Sequence, residues 1–142
     1  MKIREANFDD LPVILEMWEQ SDLPCKPKGR DKIDNLKAQM KQHNMWILVA
    51  EENKEIIGTV LVSHDTRKGW INRLIIRSNR TREGIATKLL KEAENSLIAN
   101  GIRVFAAVIV SDNLPSRALF EKENYIFYEE ITYYSKRFSP ES

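Results

Sequence analysis

The sequence predicts an α/β fold: a single domain on a mixed, mostly antiparallel sheet, with a central parallel β-α-β crossover and helices on both faces. Three features carry that expectation. Apolar runs at Trp46–Ala50 and Glu55–Val62 are joined by only Glu52-Asn53-Lys54, a link short enough to make them an antiparallel pair. The run Ile71–Ile76, a helical pattern after Gly84 and the apolar run Ile102–Val110 form strand, helix and strand with short links, the pattern of a right-handed parallel crossover. Two amphipathic helical stripes precede the sheet.

Taken in order, Lys2–Ala6 alternates weakly and predicts a short first strand. Asp9 or Asp10 is placed to cap a helix with Pro12 in its first turn, where a missing N–H costs little. Leu11, Ile14, Leu15 and Trp18 form its apolar stripe. Ser21–Arg30 holds Pro24, Pro27 and Gly29 and reads as a loop. A second helix spans residues 31–43, with Ile33, Leu36 and Met40 apolar. After the antiparallel pair, the polar loop His64–Gly69 leads to a third strand from Trp70 to Arg77. The next helix places Ile85, Leu89, Leu90, Ala93, Leu97 and Ile98 on one face, and Gly101 ends it in a left-handed conformation. A shorter helix starts at Asp112 or Asn113, and Tyr125–Tyr128 and Ile131–Tyr134 close the chain as strands.

Composition narrows the class. At 142 residues the chain is long enough for one real core and too short for two full-sized ones. Its 22 basic residues are matched by 21 acidic ones, which argues against a protein that coats nucleic acid. Cys25 is the only cysteine, so no internal disulfide forms. The charged start Met1-Lys2-Ile3-Arg4-Glu5 lacks the apolar core of a signal peptide, and no apolar run approaches the roughly 20 residues that cross a membrane. A cytoplasmic protein is expected, with no membrane partner.

The central turn, Arg77-Ser78-Asn79-Arg80-Thr81-Arg82-Glu83, crowds three arginines against a helix start. That is electrostatically backwards, since helix N-termini favour carboxylates by roughly 0.3–1 kcal/mol each. A bound polyanion reverses the balance, because amides and guanidinium groups then share its charge. Gly84 and Ala86 leave room for a ligand near the backbone. The turn has neither the Gly-Lys-Ser/Thr ending of a nucleotide P-loop nor the triple glycine of a dinucleotide fold, so a different phosphate-bearing ligand is expected.

Residues 74–90 carry a resemblance. Leu74-Ile75-Ile76 followed by Thr81-Arg82-Glu83-Gly84-Ile85-Ala86-Thr87-Lys88-Leu89-Leu90 resembles the acetyl-CoA signature of the Gcn5-related N-acetyltransferases (GNAT), Gln/Arg-x-x-Gly-x-Gly/Ala. Gly84 and Ala86 match; Thr81 stands where Gln or Arg is usual. Asn113-Leu114-Pro115-Ser116-Arg117-Ala118-Leu119-Phe120-Glu121-Lys122-Glu123-Asn124-Tyr125 resembles the family's second signature, Asn-x-x-Ala-x-x-Leu-Tyr-x-Lys-x-Gly-Phe. The element order fits along essentially the whole chain. It most resembles small bacterial and archaeal acetyltransferases of the YpeA and ribosomal-protein-acetylating types.

The resemblance implies one N-acetyltransferase domain over residues 1–142 and acetyl-CoA as acetyl donor. By that likeness the backbone of Leu74, Ile75 and Ile76 pairs with the pantetheine arm. Thr81, Arg82, Glu83, Gly84, Ile85, Ala86 and Thr87 surround the pyrophosphate, Asn113 bonds the arm with Ser116 close by, and Phe120 stands beside the donor. The implied reaction is direct attack of an uncharged primary amine on the thioester, with a backbone N–H near Ile76 polarising the carbonyl. The family often places a proton-donating tyrosine at the position of Phe120, and a phenyl ring cannot do that work. Water, Tyr125 or Tyr128 is the alternative, and Tyr125 is carried as a catalytic candidate. His64, in a loop before the third strand, is the other, because histidine titrates near neutrality. Neither histidine clusters with Cys25, so no metal site is expected.

The loops 21–30 and 64–69 and the C-terminal strands are expected to bind the acceptor, a small-molecule amine or a protein or peptide amine. Their mixed charge does not choose between these. Assembly as a homodimer stays open. The rival reading is a catalytically silent acyl-CoA-binding module, encouraged by Phe120 and the absence of a clear base.

Overall fold

The entry to the first helix is set by reciprocal side-chain caps. In a computed structural model that describes residues 1–21, 25–81 and 84–142, Asn7 accepts the Asp9 N–H at 2.9 Å, and the Asp10 carboxylate accepts the Asn7 N–H at 2.8 Å. This cap opens a short 3-10 turn, Phe8–Asp10, that runs into helix α1, Leu11–Gln20, with Pro12 in its first turn. Asp10 holds the N-cap position of α1, as expected, but its side chain makes no bond to that helix; the side-chain cap is made one turn earlier, by Asn7 on the 3-10 turn.

Helix α2 is Ile33–Met40. The strands are β1 Lys2–Glu5, β2 Met45–Glu52, β3 Glu55–His64, β4 Gly69–Ile76 and β5 Phe105–Ala106. Helix α3, Ile85–Ala99, lies between β4 and β5, and α4 is Leu114–Lys122. The strands lie in the order β1-β2-β3-β4-β5, antiparallel up to β4, while β5 runs parallel to β4. The expected mixed sheet with a parallel crossover is present.

Alternation along β2 builds two cores. Trp46, Leu48 and Ala50 pack with Leu89, Leu90, Ala93 and Leu97 of α3 and with Phe120 of α4. Met45, Ile47 and Val49 face the other way and pack with Leu11, Ile14, Trp18 and Leu36 of α1 and α2. Helices thus cover both faces. Gly58 on β3 lets α3 sit close, since a Cβ there would lie 2.8 Å from Ile76 Cδ1 and 2.9 Å from Leu89 Cδ1. Gly101 ends α3 at φ 80°, the left-handed turn expected of it.

Two expectations are corrected. The apolar run Ile102–Val110 pairs with β4 only through Phe105 and Ala106. Tyr125–Tyr128 and Ile131–Tyr134 form no strands: Ile126, Phe127, Tyr133 and Tyr134 are exposed, and Phe127 packs under the Arg117 guanidinium of α4. Strand propensity is realised only against a paired neighbour, and the edge of β5 to which these segments would add is paired over two residues. The chain instead ends against the α1–α2 loop, where Lys26 Nζ donates to the Pro140 carbonyl at 2.9 Å.

Arg4 ties β1 to both neighbours. Its guanidinium donates to Asp10 at 2.8 and 3.0 Å and to Glu51 at 2.9 Å. The Arg4 hydrogen bond, helped by the Asn7 N–H and opposed by burial, holds the Asp10 carboxyl below its ordinary 3.8. A carboxyl depressed in the folded state contributes stability that is present above the ordinary value and lost as pH falls through the depressed one. Asp10→Asn is expected to cost roughly 1 kcal/mol near neutrality for this partly exposed pair. Urea unfolding followed towards acid pH should show the gap between wild type and variant closing below 3.8.

Candidate active site

The sheet carries a one-sided strand beside the start of its longest helix. Parallel pairing joins β4 to β5 at Gly69↔Phe105 and Trp70↔Ala106, while β4 pairs with β3 as far as Ile76. From Ile71 onward, then, β4 keeps a strand partner on one side and has none among the described residues on the other, an open edge termed the wedge. The Gly69 N–H donates towards β5, to Val104 O at 2.8 Å, and the Arg77 N–H donates towards β3, to Ile57 O at 2.9 Å. Strand alternation then turns the main-chain groups of Leu74 and Ile76 into the wedge. An extended ligand there meets a row of backbone donors and acceptors.

The same stretch of β4 carries a β-bulge. Thr59 pairs with Ile75 and Leu61 with Asn72, so Arg73 and Leu74 together oppose Val60. Arg73 sits at φ 54°, a left-handed conformation that costs a non-glycine residue about 1–2 kcal/mol. Several contacts hold it. Its guanidinium donates to Asp31 Oδ2 at 2.7 Å and lies over the Trp18 ring, 5.3 Å from the centroid. Its carbonyl accepts from Thr59 Oγ1 at 3.3 Å, and Thr59 in turn accepts from Trp18 Nε1 at 3.1 Å. Asp31 is 4% exposed and Thr59 fully buried. Neither Arg73 nor Asp31 was singled out from the sequence: they lie 42 positions apart, and an arginine in a strand reads as an outward-facing residue.

Helix α3 opens at the wide end of the wedge. Gly84 precedes it at φ 76°, and a Cβ there would meet no described atom within 4 Å. The first helical bond runs from the Lys88 N–H to Gly84 O at 3.2 Å, so the N–H groups of Ile85, Ala86 and Thr87 precede the helical ladder. These are the groups a phosphate takes. The Ile85 side chain is buried in the α3 core, Ala86 and Thr87 are half-buried, and Thr81 is exposed. Arg82 and Glu83, also expected here, lie outside the described residues. The other two arginines of the turn are engaged: Arg77 Nε donates to Ile56 O at 2.8 Å, and Arg80 pairs with Glu52. Carboxylates and carbonyls of the β2–β3 hairpin, rather than a ligand alone, offset their charge.

Asn113 caps α4, its Oδ1 accepting from the Ser116 N–H at 3.3 Å. The same carboxamide keeps two N–H donors beyond that cap. Phe120 is 5% exposed and meets Tyr125 edge-on, with ring centroids 4.9 Å apart. The Tyr125 hydroxyl donates to Glu94 Oε2 at 2.7 Å, and burial, with Glu94 adding, pushes the phenol well above its ordinary value. His64 pairs with Gly69 at the closed end of the wedge, about 20 Å along the sheet from Ile76 at roughly 3.3 Å for each of the six β3 steps between His64 and the partner of Ile76. Its Nδ1 accepts from the Thr66 N–H at 3.0 Å, which leaves the proton of a neutral ring on Nε2, a buried atom with no partner among the described residues. The structure thus brings Leu74–Ile76 and Gly84–Thr87 to the wide end of the wedge, and sets His64 at the other end. Tyr125 lies against Glu94 of α3. Burial raises the Cys25 thiol above its ordinary value, with Asp31 adding.

Gly84→Glu puts a carboxylate into the space before α3 in a left-handed conformation. It is expected to cost about 1–2 kcal/mol of stability and to abolish detectable CoA binding in calorimetry. Unchanged affinity in a folded variant would remove the anion site from this helix start.

Comparison with known proteins agrees with the architecture. Residues 11–125 match the model of the Acetyltransferase (GNAT) family. An acetyltransferase of Pectobacterium atrosepticum is 30% identical over 125 residues, covering 88% of this chain and 87% of that one. A predicted acetyltransferase of Clostridium acetobutylicum, solved with acetyl-CoA, superposes with a TM-score of 0.76 at 18% identity, covering 94% of this chain and 95% of the other. AAC(6')-Iy, solved with the bisubstrate analogue CoA-S-monomethyl-acetylneamine, superposes at 0.81 with 16% identity, covering 96% and 97%. At these identities the two superpositions speak to fold. The family match covers most of the chain, and the protein belongs to the GNAT family of acetyltransferases.

Proposed function

We propose that this protein is an N-acetyltransferase that moves the acetyl group of acetyl-CoA to a primary amine by direct attack within a ternary complex. The observation that carries the reading is the one-sided β4 edge, Ile71–Ile76, leading to a glycine-headed helix whose first N–H groups precede the helical ladder. Such a site offers backbone donors to an arm and to a phosphate at once. Bound acetyl-CoA supplies an acetyl thioester, already activated towards an amine.

The chain's own residues have three tasks. Leu74, Ile75 and Ile76 orient the donor along the wedge, with the Ile76 N–H placed to polarise a carbonyl. Thr81 and Gly84 to Thr87 hold the anionic end, and Asn113 and Ser116 border the arm. Phe120 contributes only apolar surface. General acid catalysis typically supplies about 10²–10⁴-fold, whereas positioning supplies effective molarities of about 10⁵–10⁸ M. Positioning therefore sustains turnover without a tyrosine at Phe120. Of the two proton-transfer candidates, Tyr125 spends its proton on Glu94 and His64 stands at the closed end of the wedge. The best-supported proton acceptor for the amine, and donor to the leaving sulfur, is water.

The acceptor is an amine of a small molecule or of a peptide, met by the loop 21–30, whose end is tied to β4 through Asp31 and Arg73. A cytoplasmic location fits a chain in which no described helix is long and apolar enough to cross a membrane. Pairing into a homodimer is compatible with the exposed apolar residues after Tyr125. The alternative, a silent acyl-CoA-binding module, is favoured by one observation, the buried Phe120 at the usual tyrosine position.

Thiol release from acetyl-CoA, measured over a panel of a polyamine, an aminoglycoside and an N-terminal peptide, separates the two. The expected outcome is amine-dependent release with intersecting initial-velocity lines. Tight CoA binding without release on any amine would favour the silent module, and parallel lines would replace direct attack with a covalent acyl-enzyme. Tyr125→Phe should leave kcat near the wild-type value and cost about 1 kcal/mol of stability. A loss of about 10²-fold or more in kcat would restore Tyr125 as the proton donor.

A further inference from the structure

Arg73 joins two parts of the molecule that the proposed reaction must hold in register. On the donor side it makes the β4 bulge, the kink from which Leu74 and Ile76 turn towards the wedge. On the amine side its guanidinium reaches Asp31, at the end of the α1–α2 loop. Asp31 Oδ2 also accepts the Lys26 N–H at 2.7 Å, and the Asp31 N–H returns to Lys26 O at 3.0 Å, so one carboxylate clasps the described part of that loop. The side chains of Arg73 and Asp31 are 10% and 5% exposed, and Trp18 stacks beneath the guanidinium. Burial makes the pair demanding: each charge is satisfied only while the other stays in place. A left-handed arginine persists only where its surroundings over-determine it, and here one of its holds, the Asp31 carboxylate, comes from the loop.

Building on the N-acetyltransferase reading above, we propose that Arg73 and Asp31 are paired positioning residues that fix the geometry of the amine-side loop relative to the donor-side bulge. Neither residue takes part in bond making. Loosening the loop loosens the bulge, and the reverse, although the two segments are distant in sequence.

The test uses Asp31→Asn, which keeps the size and the acceptor for Lys26 N–H but removes the charge, and Arg73→Gly, which keeps the left-handed backbone but removes the guanidinium. Arg73→Lys is the conservative rescue. Amide hydrogen exchange is measured on the full chain with saturating CoA. Asp31→Asn is expected to speed exchange at Leu74–Ile76 by about tenfold, and Arg73→Gly to do the same at Lys26–Asp31. CoA affinity should stay near wild type, while kcat on whichever panel amine is acetylated falls by about a hundredfold, the scale of a small misplacement. KM for acetyl-CoA should stay unchanged, and the double variant should be no worse than either single one. Arg73→Lys should recover part of kcat. If each variant alters exchange only in its own segment, or if folded variants turn over at the wild-type rate, the coupling is overturned. A wild-type protein that releases no thiol with any amine would instead sink the enzyme reading, and the exchange data would still decide the coupling.

Discussion

The architecture of the site depends on one extra residue in β4. In a regular strand, residues four apart share a face. Ile71 belongs to the core under α3, yet Ile75 belongs to the core under α1 and α2. The bulge at Arg73 accounts for the change, because a single inserted residue moves everything after it to the opposite face. It keeps apolar side chains buried on both sides of the sheet while adding local twist where β4 parts from β5. A change that closed the bulge would aim Ile75 and Ile76 at the wrong cores, so the strand's burial and the site's geometry rest on the same kink.

The wedge itself follows from two constraints of opposite kind. Gly58 and Gly69 let side chains of α3 come close to the sheet, which fixes the helix start at the end of β4. The β5 tether is short, two residues at the beginning of β4, and leaves the remainder of that edge to other partners. Backbone amides are well suited to such work. They are placed by the fold rather than by rotamers and carry no net charge, and they hold an arm of either acyl state alike. This explains how a site with few distinctive side chains still serves a defined chemistry.

Much of this was legible in the sequence because the signals are local. The apolar stripe Ile85–Leu97 and the closing Gly101 mark α3, and a strand ending at Ile76 just before it marks the crossover. Gly84 stood out as leaving room for a ligand near the backbone, and a Cβ there would indeed meet no described atom within 4 Å; its left-handed φ of 76° was not anticipated. The failures are non-local. Tyr125–Tyr128 and Ile131–Tyr134 alternate like strands, but alternation specifies propensity, not a partner. Arg80 looked like a ligand-binding cation because nothing in its neighbourhood shows that Glu52 lies opposite it across a hairpin. The Arg73–Asp31 pair left no local trace at all, since a salt bridge between a strand and a distant loop has no spacing to read.

Titration of the isotope-labelled protein with CoA, followed by backbone amide resonances, tests the placement of the donor most directly. Large shifts are expected at Leu74, Ile76, Gly84, Ile85, Ala86 and Thr87, with smaller ones at Asn113 and little change at His64. Shifts confined to the His64–Gly69 end of the sheet, or saturable binding that leaves the start of α3 untouched, would contradict it.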